Sequence, residues 1–305
     1  MANILAIRGG AIGDFILTLP ALRLLKTDLN AKKVEILGYE SIARLAVEFG
    51  FADSTRSIEH GPLAGFFNPK GKLDPDLCEY FSSFNLIVSW IYDPDGFFHG
   101  NLDRAGAETV IQASHRVDEA ANAPAAAQLA KPLEQIALYP EKPWVSLGLD
   151  REPGAVIALH PGSGSPLKNW GYENWAETAR RLRTAHPDHE FLVISGEAET
   201  ETISDFIEML EAAKIPFRHA DSPPLPDLAR ELARCTIFLG HDSGISHLAG
   251  AVGLPCVLVF GPTDPQIWAP QNPAVQTVRA PTKSMAAVTP TQIVDRASNI
   301  LRNPK

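Results

Sequence analysis

Short β-branched or aliphatic runs recur along this chain, and most are followed by a stretch of helical period. That alternation is the strongest constraint on the fold. Strands joined through helices must lie parallel, and a parallel sheet persists only with helices over both faces. In the first half, strands are expected at 4–7, 34–37, 86–91 and 109–112, with helices at 15–25, 42–49 and 76–84. In the second half, strands are expected at 155–159, 190–194, near Phe217, at 236–239 and at 256–260. Helices at 172–184, 199–213, 225–234 and 243–252 alternate with them, and a last helix at 290–301 closes the pattern.

Between about Val117 and Gly154 the alternation dissolves into alanine- and proline-rich sequence, which marks the domain boundary. The expected organisation is an α/β protein of twin doubly wound domains, 1–150 and 151–288, facing each other across a cleft between their strand ends. The segment 289–305 forms a C-terminal helix open to packing back on the N-terminal domain. No apolar stretch reaches the roughly 18 residues of a membrane-spanning helix. Arg8 interrupts the first apolar run, so the N-terminus does not read as a secretory signal, and the expected address is the cytoplasm. A net charge of −9 repels polyphosphate and excludes nucleic acid as a partner. Cys78, Cys235 and Cys256 share no ligand spacing, so neither a disulfide framework nor a metal site is expected.

The stretch IRGGAIGDF, residues 7–15, is a strand, a glycine turn and a helix start, an arrangement that offers free N–H groups to a ligand. Gly10 and Gly13 fit a dinucleotide fingerprint, but Arg8 stands where its first glycine belongs. Glu40 follows the second strand where a ribose-binding acid would lie, which keeps a nicotinamide-dependent oxidoreductase open as an alternative. Asp14 lies where the turn becomes a helix. It is either a cap for backbone N–H groups or an acid at the carboxyl end of the sheet, placed to serve as a general base.

Three loops of the second half leave neighbouring strands on one rim. LHPGSGSPLKNW, residues 159–170, offers Ser163, Gly164, Ser165 and Lys168 as a phosphate cradle, or is a solvated turn. His160 reads as a satisfied buried histidine. HDSGISHLAG, residues 241–250, places Asp242, Ser243 and Gly244 at a helix start. Its unpaired amides and positive dipole end suit a diphosphate, with His247 one turn further on the same face. Asp242 would repel a phosphate, so it faces sugar hydroxyls or caps the helix. FGPTDPQIW, residues 260–268, adds Thr263 and Asp264 from a third turn.

Taken together, ILAIRGGAIGDFILTLPALRLLK, ALHPGSGSPLKNW and FLGHDSGISHLAGAVGLPCVLVFGPTDP resemble glycosyltransferase family 9, the ADP-heptose:lipopolysaccharide heptosyltransferases. The resemblance implies a GT-B fold of two Rossmann-like domains and inverting transfer without metal or cofactor. It also implies a nucleotide-sugar donor, ADP-linked, and a lipid-linked glycan acceptor met at the cytoplasmic face of the inner membrane. By that resemblance Asp14 is the catalytic base beside an acceptor-side loop of Gly10 and Gly13. Ser163, Lys168, Asp242, Ser243, Gly244 and His247 bind the donor. A donor-contacting glutamate is expected after the strand ending at Ile194, with Glu201 chosen over Glu197 and Glu199. Arg23, Lys26, Lys32 and Lys33 are either a binding surface for an acidic acceptor or a solvated helix face. A non-catalytic sugar-nucleotide-binding protein of the same fold is the remaining alternative.

Overall fold

The computed structural model describes residues 2–303, which divide into two compact units at Val145 and Ser146. The division falls inside the alanine- and proline-rich stretch, five residues before the expected one. Met1, Pro304 and Lys305, at the outer ends of the expected first and last segments, lie outside the described residues.

The first unit carries a parallel sheet of β1 (Asn3–Arg8), β2 (Lys33–Gly38), β3 (Ser54–Ser57), β4 (Leu86–Ser89) and β5 (Val110–Gln112), in the order β3-β2-β1-β4-β5. Its helices are α1 (Ile12–Arg23), α2 (Glu40–Glu48), α3 (Pro75–Ser82), α4 (Phe97–Arg104) and α5 (Ala125–Ala130). Ile4, Leu5, Ala6 and Ile7 on β1 are all buried, as a central parallel strand between two helix layers requires. Helix α1 is buried from Phe15 through Leu22 and packs against α5. The alanine-rich stretch, read from the sequence as the domain boundary, thus supplies a covering helix of the first unit. The small side chains of Ala125, Ala126 and Ala130 allow close packing.

The second unit is built on β6 (Val156–Leu159), β7 (Glu190–Ser195), β8 (Phe217–Asp221), β9 (Ile237–His241), β10 (Cys256–Phe260) and β11 (Val275–Arg279). Their order, β11-β10-β9-β6-β7-β8, is doubly wound and parallel throughout. The helices are α6 (Tyr172–Ala185), α7 (Ile203–Ala212), α8 (Leu225–Leu232), α9 (Gly244–Val252), α10 (Pro265–Trp268) and α11 (Pro290–Arg302). Ile293, Ala297 and Leu301 form one stripe of α11 and join Trp175, Ala179 and Leu182 of α6 in a single apolar cluster. The terminal helix therefore belongs to the second unit.

In each sheet the first strand has neighbours that wind away in opposite directions, β2 and β4 beside β1, β7 and β9 beside β6. Loops leaving the carboxyl ends of such a strand pair splay apart and open a crevice where ligands of doubly wound sheets bind. The turn at Gly9 and Gly10 occupies that position in the first unit. The 160–168 loop and the start of α9 occupy it in the second. No helix among the described residues is long and apolar enough to cross a membrane.

Candidate functional site

At the first switch point the chain leaves β1 through Gly9 and Gly10, and Gly10 adopts φ +104°, a conformation costly for any residue with a side chain. A Cβ there would also meet the Asp14 carboxylate at 3.4 Å, so glycine keeps that acid in place. Gly13 lies in the first turn of α1. Asp14 makes no capping bond; the N-cap is Ala11, which has no side-chain hydrogen bond. The capping role held open by the sequence is therefore absent, and the Asp14 side chain is 43% exposed.

The partner of Asp14 is Arg8, an almost fully buried guanidinium at the end of β1. It lies 3.8 Å from the carboxylate and donates to the Asp14 carbonyl oxygen at 3.2 Å. Longer bonds, both 3.5 Å, run from Arg8 to the carbonyl oxygens of Trp90 and His115, and its Nε is buried without a partner. Burial lowers the pKa of Arg8 and Asp14 raises it. A charged residue ending an apolar strand must find compensation nearby. That was the available sequence signal for the pair. An acidic side chain in the first turn of α1 also stands where a dinucleotide fold holds its pyrophosphate.

The basic residues considered for an acidic acceptor are at the other edge of the sheet. Helix α1 runs back against the strands, so Arg23 and Lys26 lie near the amino end of β2, where Lys33 begins that strand. Lys26 is paired with Asp53 and Lys33 with Glu35, each at 2.6 Å.

At the second switch point Ser243 caps α9, its hydroxyl accepting from the Ser246 N–H at 3.3 Å. Asp242, expected to face sugar hydroxyls or cap the helix, does not cap it, since Ser243 is the N-cap. It is buried, and its Oδ2 accepts from Lys168 Nζ at 2.7 Å and Thr263 Oγ1 at 2.8 Å. Three loops thus meet at one carboxylate. The Lys168 side chain remains 30% exposed and Gly244 is partly open, so an ammonium and a helix N-terminus stand side by side at the surface. His247 is buried within α9. The Ser163 hydroxyl, expected in the phosphate cradle, instead turns inward and donates to Asn169 Oδ1 at 2.7 Å, which fixes the loop that carries Lys168.

Behind this surface lies a buried polar chain. His160 Nδ1 is 3.3 Å from Ser243 Oγ, and its Nε2 is 3.5 Å from Glu199 Oε2. Burial works to raise the Glu199 pKa, but His160 and the Gly196 N–H outweigh it and hold the carboxyl below the usual range. Glu199 Oε1 is buried without a hydrogen-bond partner. Of the three glutamates after β7, only Glu199 enters this group; Glu197 and Glu201 are exposed. The short helical turn 197–199 reverses the chain toward His160, and helix periodicity drawn straight through this segment misplaces the side chains.

His241 anchors the base of the site. Its Nε2 accepts from the Trp170 N–H at 2.9 Å and the Trp175 indole at 3.1 Å, and its Nδ1 faces the Gly162 carbonyl at 3.3 Å. Complete burial pushes its pKa down to about 3. The unfolded chain takes up this proton near the ordinary value of about 6.5, so between those limits the unfolded state binds more protons and stability falls as pH falls. The expected slope from this residue is about 1.4 kcal/mol per pH unit. His241→Gln should lower stability at neutral pH but flatten the acid limb in urea titrations from pH 6 to pH 4. Equal slopes for both proteins would exclude His241 as its source.

Two doubly wound units in one chain, the second presenting an ammonium beside a helix N-terminus at its switch point, are the architecture of the GT-B fold. The model of glycosyltransferase family 9 (heptosyltransferase) matches residues 102–297, and the chain belongs to that family. It is 27% identical over 128 residues to lipooligosaccharide heptosyltransferase 2 of Haemophilus influenzae, covering 41% of this chain and 36% of that protein. Matches to the first curated relatives span about a third to a half of their own length. The fold is similar to the crystal structure of a family 9 glycosyl transferase from Veillonella parvula, with TM-score 0.77 and 17% identity over 99% of this chain and 97% of that one. It is also similar to E. coli heptosyltransferase WaaC with ADP, with TM-score 0.74 and 16% identity over 98% and 99% of the two chains.

Proposed function

We propose that the chain is an inverting glycosyltransferase that moves a heptose from an ADP-heptose donor to a lipopolysaccharide core or related lipid-linked glycan, without metal or cofactor. The observation that carries this reading is the start of α9, where the Ser243 cap and the Gly244 amide stand beside Lys168, itself 2.7 Å from Asp242. The names of the relatives support the sugar, and the ADP of the E. coli structure supports the nucleotide.

In the proposed reaction the acceptor hydroxyl oxygen attacks the anomeric carbon on the face opposite the diphosphate, and Asp14 takes the hydroxyl proton. The bond from the anomeric carbon to the diphosphate oxygen breaks, and its electron pair leaves with ADP. The reaction passes through an oxocarbenium-like state in which negative charge grows on the leaving group. Fixed N–H donors and an ammonium meet that charge without reorganising. Lys168 and the amides of Ser243 and Gly244 take this role, with His247 adding a donor on the same helix face. Asp242 does not touch the phosphate; with Thr263 it holds the Lys168 ammonium in position. Glu199 acts from behind the donor surface, ordering His160 and through it the Ser243 hydroxyl, and exposed Glu201 is the glutamate free to reach the donor. Ser163 acts through its loop. Reaching a lipid-linked acceptor requires peripheral contact with the cytoplasmic face of the inner membrane.

Calorimetry of the full chain against ADP and NAD tests the reading. Tight ADP binding with negligible NAD binding is the expected result. The reverse pattern overturns it in favour of a nicotinamide-dependent enzyme.

A further inference from the structure

The Arg8 guanidinium, at the end of β1, divides its N–H groups among three loops. Nη1 donates to the carbonyl oxygens of Trp90, which follows β4, and His115, which follows β5. Nη2 donates to the Asp14 carbonyl oxygen at 3.2 Å and stands 3.8 Å from Asp14 Oδ1. A planar fork anchored at three carbonyls has a fixed orientation, so the side from which it attracts the Asp14 carboxylate is set by the loops after β4 and β5 as well as by β1.

The glycine turn sets the other side of that carboxylate. A Cβ on Gly10 would lie 3.4 Å from Asp14 Oδ2 and 3.5 Å from Asp14 Cβ. Oδ1 therefore faces the guanidinium and Oδ2 the turn, and Oδ2 accepts no hydrogen bond among the described residues.

An ion pair that serves to neutralise a buried arginine is closed, with a buried carboxylate at hydrogen-bonding distance. This pair is open. Its separation exceeds a hydrogen bond, the carboxylate is exposed, and backbone carbonyls already accept from the guanidinium. So screened a contact adds little to stability. It does aim the carboxylate while leaving the lone pairs of one oxygen unused, which is what a general base needs.

We infer that Arg8 is a positioning residue for the transfer reaction: it orients Asp14 through Oδ1 so that Oδ2 receives the proton of the attacking hydroxyl. The inference rests on the glycosyltransferase reading and on Asp14 as its base. Lysine is a poor substitute, because an ammonium lacks the rigid fork that spans two loops and the carboxylate at once.

A double-mutant cycle on the full chain tests it, read as ADP release from ADP-heptose with heptose-free lipopolysaccharide as the acceptor probe. Arg8→Lys and Arg8→Gln should each lower kcat by about 10-fold to 100-fold, the effect of displacing a catalytic group by about an ångström, with the KM for ADP-heptose unchanged. In an Asp14→Asn background the same substitutions should lower kcat no further, because the group they position is gone. Either variant that folds carries the cycle. A structural clamp would slow both backgrounds by the same factor, and that result overturns the assignment. Wild-type kcat in both single variants also overturns it, as does loss of the first unit's fold in both, read by thermal unfolding. A wild-type chain that neither binds ADP in calorimetry nor releases it from ADP-heptose removes the glycosyltransferase reading, and the role of Arg8 with it.

Discussion

Asp14→Asn is expected to lower kcat for ADP release from ADP-heptose in the presence of acceptor by about 10²–10⁴-fold, the usual contribution of a general base. ADP affinity should stay at the wild-type value, because every group assigned to the donor lies in the second unit. Asparagine is the informative substitution. The Asp14 side chain caps nothing and is 43% exposed, so its loss removes no hydrogen bond from α1. Its backbone carbonyl, which accepts from Arg8 and from Thr18 Oγ1, is untouched. The amide oxygen still faces the buried guanidinium, which limits the destabilisation from leaving Arg8 without its carboxylate. Thermal unfolding should therefore shift little while turnover collapses. Near-normal kcat in a folded Asp14→Asn protein would refute the assigned base.

How much of this was legible beforehand depends on what each segment buries. The central strands β1, β6, β9 and β10 read directly as apolar runs because helices cover both their faces. Edge strand β3, Ser54-Thr-Arg-Ser57, has no such run and was missed, as was β11, one of the two edge strands of the second sheet. Their pairing with β2 and β10 is a tertiary fact that a half-buried edge does not encode locally. Helix α5 was missed for a different reason: alanine gives it helix propensity but no apolar period to read. At the site, the three convergent loops follow from the strand alternation alone. Individual partners did not follow, because a hydrogen bond between Lys168 and Asp242 spans 74 positions of sequence. The buried position of Glu199 rather than Glu201 depends on one short turn whose phase no apolar pattern sets.

The Lys168–Asp242 pair yields a second large effect, and one that separates holding the fold from holding the donor. Lys168→Met leaves the Asp242 carboxylate buried with Thr263 as its remaining polar partner at 2.8 Å. Breaking a fully buried pair costs about 3–5 kcal/mol. Here the ammonium is 30% exposed, so solvent screens part of the interaction and about 2–3 kcal/mol is expected in urea unfolding. ADP affinity should fall at least tenfold, as a charge-assisted bond to the diphosphate disappears. Adding Asp242→Asn removes the orphaned charge, so the double variant should regain most of the lost stability. It should not regain the lost affinity, because Lys168 is the ammonium that pairs with Asp242 among the described residues. If ADP binding returned together with stability in the double variant, Lys168 would be a neutralising partner for Asp242 and nothing more. The diphosphate would then be held by the helix end alone, through the amides of Ser243 and Gly244.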